Sequence, residues 1–168
     1  RFFRLLGRYT PKIKKVFLVG GGKISAYLIE MLHNMNIRLK VVDKDIEKCN
    51  EIAKLFPDVI TINGDGSDHE LLEEENLSSY DAFVALTGKD SENVLMTVSK
   101  LDKDGLKVIT KINSEETIQN AEKMGIECIV SAKSVVKDAV NRYVKALQNT
   151  IGSKIETLYS LMDGTVQA

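Results

Sequence analysis

Residues 14–43 have the sequence KKVFLVGGGKISAYLIEMLHNMNIRLKVVD, in which two short apolar runs enclose a glycine triplet and a segment with helical periodicity. The first run, residues 16–19, is followed directly by Gly20, Gly21 and Gly22. The second run, residues 39–42, ends at Asp43. Between the two runs, apolar side chains recur at the spacing of a helix: Ile24, Tyr27, Leu28, Met31, Leu32 and Met35. This order predicts a β-α-β unit that binds a nucleotide.

Each residue type in this unit suits a bound nucleotide. Gly20 allows a tight turn from strand to helix, and Gly22 allows a phosphate to approach the backbone, where the first N–H groups of the helix are unpaired. Asp43 follows the glycines at close to the ~20-residue interval at which an acid accepts hydrogen bonds from a ribose diol. Its charge would also repel the 2′-phosphate of NADP. Ser25 occupies the third glycine position, where we expect its hydroxymethyl group to move the helix slightly outward.

Composition excludes several other classes of protein. The 168 residues include 23 basic and 24 acidic side chains, so the net charge of −1 gives no general attraction to nucleic acid. No apolar run approaches the ~18 residues that a membrane-spanning helix needs. The two cysteines, Cys49 and Cys128, have no metal-binding spacing, and we predict that both are core residues of a protein in a reduced, cytosolic setting.

The rest of the chain alternates apolar strand-like runs with helical segments. Further strands are predicted at residues 59–62, 82–86, 108–113 and 127–130. Together with the first two runs they indicate a Rossmann-like α/β fold with a doubly wound, parallel, six-stranded sheet. Residues 132–148 then form a predicted C-terminal crossover helix. Its apolar face is wide enough to pack on more than its own domain, for example across a dimer.

Two polar loops follow predicted strands at the edge where open α/β sheets bind ligands. Residues 63–68 are NGDGSD, and residues 87–93 are TGKDSEN. The first loop is also compatible with a simple glycine turn in which Ser67 or Asp68 caps the next helix. Its acids could suggest a metal site with His69, but acids at a helix start explain most of them. Lys111, on the fifth strand, is either a cation near the ligand or a solvent-facing lysine.

These motifs resemble the RCK/KTN family, whose TrkA N-terminal domains regulate potassium conductance, and most closely the peripheral subunits of potassium-uptake systems. The resemblance covers about residues 15–150. The loop 64–67 and the run 86–93 are far more specific to the family than the glycines. Residues 1–14 would then be a linker or helix end from a preceding module, and residues 151–168 the truncated start of a C-terminal RCK subdomain. The basic residues before position 15 also allow a membrane-surface or acidic-partner patch.

The resemblance implies a set of binding residues. Gly20, Gly21, Gly22, Lys23 and Ile24 would hold the phosphates of NAD(H), or of ATP or ADP as in some relatives. Asp43 would bind the adenosine ribose and Asp65 the adenine edge. Thr87 and Gly88 would line the second half of the ligand. Lys111 stands where the family usually has arginine, so it keeps the charge but lacks the bidentate fork.

The resemblance also implies a function. The family dimerises, in some cases as a ring of dimers, and it gates a membrane potassium channel or transporter from the cytoplasmic side without being an enzyme. One alternative is a nicotinamide-dependent oxidoreductase. No tyrosine, however, is followed by lysine four residues later, and the only histidines are His33 and His69. The other alternative is a structural dimerisation copy of the domain that binds no ligand.

Overall fold

The computed structural model of this chain describes residues 12–101 and 105–131. Within these residues, six strands alternate with five α-helices. The strands are β1 (Lys15–Val19), β2 (Arg38–Asp43), β3 (Ile60–Asn63), β4 (Ala82–Ala85), β5 (Lys107–Lys111) and β6 (Ile129–Val130). The helices are α1 (Lys23–Asn34), α2 (Ile46–Leu55), α3 (His69–Glu74), α4 (Asp90–Val98) and α5 (Glu115–Lys123). A 3-10 turn, Leu77–Ser79, lies between α3 and β4.

The six strands form one sheet in the order β3-β2-β1-β4-β5-β6, and every neighbouring pair is parallel. β1 lies inside the sheet between β2 and β4. The chain winds outward from β1 to β3, then crosses to the other side of β1 and winds outward again. The predicted Rossmann-like, doubly wound parallel sheet is therefore confirmed. Its switch point, where such folds bind ligands, lies between β1 and β4.

Both faces of the central strand are buried, which explains its continuous apolar sequence. Val16 and Leu18 pack with Ile29 of α1 and Ile52 of α2 in one apolar cluster. Phe17 and Val19 point the other way and pack in a second cluster with residues of α3, the 3-10 turn and α4: Leu72, Leu77 and Met96. Alternate residues of β1 thus join the two helical layers to one sheet.

Side-chain caps fix where three helices begin. Asp45 accepts a hydrogen bond from Glu47 N at 3.0 Å at the start of α2. Asp68 accepts one from Glu70 N at 3.0 Å at the start of α3, and Ser114 accepts one from Thr117 N at 3.4 Å at the start of α5. Of the two cap candidates that the sequence offers before α3, Ser67 and Asp68, the structure confirms Asp68.

One of the two predicted core cysteines differs from the structure. Cys49 is buried as expected, but Cys128 is exposed, so its assignment to the core is wrong. The reason is that β6 is shorter than predicted and begins only at Ile129. Cys128 precedes the strand and contributes its carbonyl, which accepts a hydrogen bond from Thr110 N at 3.0 Å.

Other predictions concern residues that the structure does not describe. The basic segment before Lys12, the crossover helix at 132–148 and the predicted C-terminal subdomain lie outside the described residues. The domain limits at residues 15 and 150 therefore stay predictions. Among the helices of the described ranges, none combines the length and the hydrophobicity that crossing a membrane requires.

Candidate nucleotide-binding site

A cavity of about 430 Å³ opens at the carboxyl edge of the sheet, beside the ends of β1, β2 and β4. Its size falls within the range of about 300–1,000 Å³ that is typical of small-molecule sites. Nine of the ten site residues predicted from the sequence line it: Gly20, Gly22, Lys23, Ile24, Asp43, Asp65, Thr87, Gly88 and Lys111. The tenth, Gly21, instead donates its N–H to Asp43 Oδ2 at 2.5 Å.

The glycine turn after β1 has a backbone that other residues would not adopt easily. Gly20 has a φ of +105°, and a Cβ there would lie 2.8 Å from the carbonyl carbon of Leu86. Its N–H donates to Val42 O at 2.8 Å, which ties the turn to β2. A Cβ at Gly22, by contrast, would meet no atom within 4 Å. The turn is therefore packed closely against the backbone just after β4 at Gly20 and is open at Gly22.

The N-terminus of α1 opens on this cavity without a side-chain cap. Gly22 is the N-cap residue, and no side chain there accepts a hydrogen bond from the first turn. Gly22, Lys23 and Ile24 all line the cavity. The unpaired N–H groups and the positive end of the helix dipole are the features that make a helix start suitable for an anion such as a phosphate.

Ser25 lies beneath the turn and is fully buried. Its hydroxyl donates a hydrogen bond to the carbonyl of Gly20, five residues earlier. The Ser25 side chain therefore fits between the glycine turn and the first helical turn of α1, and its hydrogen bond links them. This polar contact was not foreseen from the glycine pattern, in which a serine at this position appears only as a bulkier residue.

Asp43 is held at the end of β2 by two backbone donors. Its Oδ2 accepts from Gly21 N at 2.5 Å and its Oδ1 from Asp45 N at 2.8 Å. Lys48 Nζ lies 4.0 Å from Oδ1 of Asp43, and the Asp43 side chain is only 13% exposed. Each carboxylate oxygen retains acceptor capacity beyond one hydrogen bond. Asp43 is thus a fixed acceptor that faces the cavity beside the glycine turn.

Asp65, in the loop after β3, is held by its own neighbours. Its Oδ1 accepts from Ser67 Oγ at 2.6 Å and from Ser67 N at 2.9 Å. Its Oδ2 lies 3.0 Å from Lys44 Nζ. The Ser67 hydrogen bonds and the Lys44 cation keep the pKa of Asp65 below its ordinary value, against a burial effect that would raise it. The same contact raises the pKa of Lys44. Asp65 is therefore ionised at neutral pH.

Asn93 of α4 holds in place the cavity wall formed by the loop after β4 and the end of β5. Its side chain is fully buried and contacts both the loop after β4 and the end of β5. It accepts from Thr87 N at 3.0 Å and from Thr87 Oγ1 at 2.7 Å. Its amide donates to Thr87 O at 3.2 Å and to Lys111 O at 2.9 Å. The hydrogen-bond partners of Asn93 are thus two of the residues predicted to bind ligand.

Several cavity residues were not proposed as ligand contacts from the sequence. They include Lys44, Lys48, Glu92 and Met96. Lys48 lies 3.4 Å from Asp45, and Glu92 lies 2.8 Å from Lys89, an ion pair that lowers the pKa of Glu92. The position of Lys44, directly after the strand that ends in Asp43, was the signal that could have identified it. Among the described residues, no carboxylate lies within ion-pair distance of Lys23 or Lys111.

The histidines, cysteines and tyrosines of the described residues lie outside the cavity. His69 contacts Glu73 on the exposed surface of α3 at 3.5 Å, and His33 packs near Phe56 with a ring separation of 6.3 Å. No group of three or more His, Cys, Asp and Glu side chains in the described part of the chain is arranged to hold a metal ion.

Two relatives with similar sequences are named as potassium uptake proteins. A Trk system potassium uptake protein TrkA homolog from Methanosarcina mazei is 28% identical over 160 residues, which are 92% of this chain and 36% of that protein. The Trk system potassium uptake protein TrkA of Halomonas elongata is 26% identical over 163 residues, which are 97% of this chain and 34% of that protein. This chain therefore spans about a third of the length of these relatives.

Solved structures share the fold. The TrkA-N domain of the inner membrane protein ybaL from Escherichia coli superposes with a TM-score of 0.70 at 15% identity, over 80% of this chain and 98% of that domain. The GsuK channel bound to NAD gives 0.67 at 17% identity, over 87% of this chain and 26% of the channel. GsuK bound to ADP gives 0.64 at 18% identity, over 76% of this chain and 33% of the channel.

The family model of the TrkA-N domain matches residues 16–132, which is more than half of the chain. The matched range contains the whole of the cavity lining and all six strands except Lys15, the first residue of β1. On this match, the chain belongs to the TrkA-N domain family.

Proposed function

We propose that this chain is the nucleotide-sensing regulatory domain of a potassium-uptake system. It binds NAD(H), or alternatively ATP or ADP, and its ligand-dependent shape gates a membrane potassium channel or transporter. The observation that carries this proposal is the cavity itself. It brings the glycine turn, two fixed carboxylates and the loop after β4 together at the switch point of the sheet.

The contacts of a dinucleotide follow from the chemistry of the lining. The uncapped start of α1, with Lys23, suits the phosphates because it offers N–H donors and positive charge. Asp43 suits the adenosine ribose, since a fixed carboxylate accepts hydrogen bonds from a diol. Asp65 would accept from the amino group at the adenine edge. Thr87 and Gly88 would line the second half of the ligand, with Lys111 supplying charge there.

The names of the relatives support a role in potassium uptake rather than in catalysis. The Methanosarcina and Halomonas proteins are both named as Trk potassium uptake proteins, and a fold relative, GsuK, is a channel solved with NAD and with ADP. On this proposal, the domain works as a homo-oligomer, a dimer or a ring of dimers, on the cytoplasmic side of its membrane partner. Nucleotide binding can shift its shape only if the two shapes differ in affinity for the ligand.

Isothermal titration calorimetry tests the binding step. The purified chain is titrated with NADH, NAD⁺, ATP and ADP, and at least one of them should bind saturably. Asp43→Ala should weaken that binding by about tenfold or more, because a hydrogen-bonded charged acceptor is worth ~1.5–3 kcal/mol. Glu51→Ala is the matched control, since Glu51 is an exposed acid on α2 that does not line the cavity.

Two results would contradict the proposal. The first is the absence of saturable binding for all four nucleotides at millimolar concentration. The second is equal affinity of wild type and Asp43→Ala, because the ribose contact would then not exist as described. Steady consumption of NADH in the presence of small carbonyl compounds would instead favour the oxidoreductase alternative.

A further inference from the structure

The first turn of α4 carries two polar side chains that hydrogen-bond to the neighbouring loops. Asn93 has an amide with two donors and an oxygen that accepts two hydrogen bonds, and all four positions are used. Three of these bonds go to Thr87 and the fourth goes to the carbonyl of Lys111. A saturated, fully buried amide fixes the backbone on both sides of it.

Asp90, three residues earlier, fixes the segment that follows β5. Its Oδ2 accepts from Asn113 N at 2.8 Å and from Ser114 N at 2.9 Å. Ser114 is also the N-cap of α5. Asp90 therefore holds the two residues that precede α5, Asn113 and Ser114, while Asn93 holds the carbonyl of Lys111 shortly before them. One helical turn thus determines the course of the chain on both sides of Asn113.

The other half of the cavity is held by a separate set of bonds. Asp43 is oriented by Gly21 and Asp45, and Asp65 is oriented by Ser67 and Lys44. Among the described residues, neither Asp90 nor Asn93 hydrogen-bonds with any member of that set. The side-chain hydrogen bonds that hold the wall at β2 and β3 are thus separate from those that hold the wall at β4 and β5.

We propose that Asn93 and Asp90 are positioning residues for the half of the site formed by Thr87, Gly88 and Lys111, and that this half is what distinguishes a dinucleotide from an adenosine mononucleotide. The inference rests on the proposed nucleotide-binding function. A dinucleotide spans both walls, whereas ADP needs the glycine turn, Asp43 and Asp65. Loosening the first turn of α4 therefore weakens the binding of the dinucleotide selectively. A general loss of stability would weaken the binding of both ligands alike.

The test compares NADH with ADP by calorimetry on the same protein samples. Wild type should bind NADH more tightly than ADP. In Asn93→Ala the affinity for NADH should fall by about tenfold or more, while the affinity for ADP changes by less than about threefold. Asp90→Ala should act in the same direction with a smaller loss. Ser91→Ala, an exposed residue of the same turn, should bind both ligands as wild type does.

Each outcome decides the inference. Equal losses for the two ligands, or no loss in either variant, overturn it, and so does a wild type that binds NADH no better than ADP. That last result leaves the proposed function intact. A wild type that binds neither ligand would contradict both this inference and the proposed function. Thermal melts of each variant accompany the titrations. If Asn93→Ala gives no cooperative melt, Asp90→Ala decides by the same criterion, because its carboxylate is not fully buried.

Discussion

Replacing Ser25 with alanine should destabilise the domain, although alanine is the better helix former. The substitution removes the buried hydroxyl that donates to the Gly20 carbonyl at the start of α1. Leaving a buried acceptor without its partner costs about 1–3 kcal/mol. Alanine recovers about 0.5 kcal/mol through its helix propensity. The expected net loss is therefore about 1.5 kcal/mol of unfolding free energy, taking the middle of that range.

Ser25→Gly restores the glycine of the dinucleotide-binding pattern and separates two explanations. If the hydroxymethyl group strains the packing of α1 on β1, glycine should stabilise the domain. If the hydrogen bond matters more, glycine should be worse than alanine, because it costs about 1 kcal/mol more within a helix. We expect the order of stability to be wild type, then Ser25→Ala, then Ser25→Gly.

Urea unfolding followed by circular dichroism measures these differences, with the denaturant slope compared between variants. Ser91→Ala serves as the matched control, because this serine is exposed in the first turn of another helix, and its unfolding free energy should stay within about 0.5 kcal/mol of wild type. An alanine variant at position 25 as stable as wild type would refute the reasoning. A glycine variant more stable than wild type would show that the side chain strains the fold.

Two further changes test the turn and the loop after β3. Gly20→Ala should lower the free energy of unfolding by about 2 kcal/mol or more, because the φ of Gly20 is +105° and the new Cβ meets the Leu86 carbonyl. Gly22→Ala should unfold like wild type in the same urea titration, because its new Cβ meets no atom. Equal losses at the two positions would contradict this. The pKa of Asp65 is lower in the folded than in the unfolded protein. Ionised Asp65 therefore stabilises the fold at any pH above its unfolded pKa of about 3.9. This stabilisation is lost as the pH falls through the lower folded value. Asp65→Asn should therefore be less stable than wild type at pH 7, and the gap should close in acid. A gap that is unchanged in acid would argue against this linkage.

The sheet could be predicted because parallel strands buried on both faces are continuous apolar runs. The run at residues 16–19 and the run at 39–42 each agree with a strand to within a residue at either end. Loop chemistry was equally informative, since the polar residues after β3 and β4 do meet at one cavity. The spacing of glycines and acids carries this information locally, so a single sequence is sufficient.

The faces of the helices could not be predicted in the same way. In α1 the buried residues are Ser25 and Ile29, whereas Tyr27 and Met31, both on the predicted apolar face, are 74% and 60% exposed. Apolar residues occur on more than one side of this helix, so periodicity alone does not choose between them. In α4, Leu95 is 71% exposed and Asn93 is buried. Hydropathy cannot identify a polar residue that is buried because it satisfies the backbone of a loop.

The state of the two carboxylates before a ligand arrives has a consequence for the proposed sensing role. Asp43 already accepts two backbone hydrogen bonds, and Asp65 is already paired with Ser67 and Lys44. Both acceptors are fixed in advance, so a nucleotide would not have to order them, which reduces the entropy lost on binding. The Lys44–Asp65 pair is exposed to solvent and contributes little, so a ligand that displaces Lys44 meets little resistance. Pre-formed acceptors lower the cost of binding, so they raise the affinity for the proposed nucleotide. A change of shape on binding would then involve other parts of the domain than these two side chains.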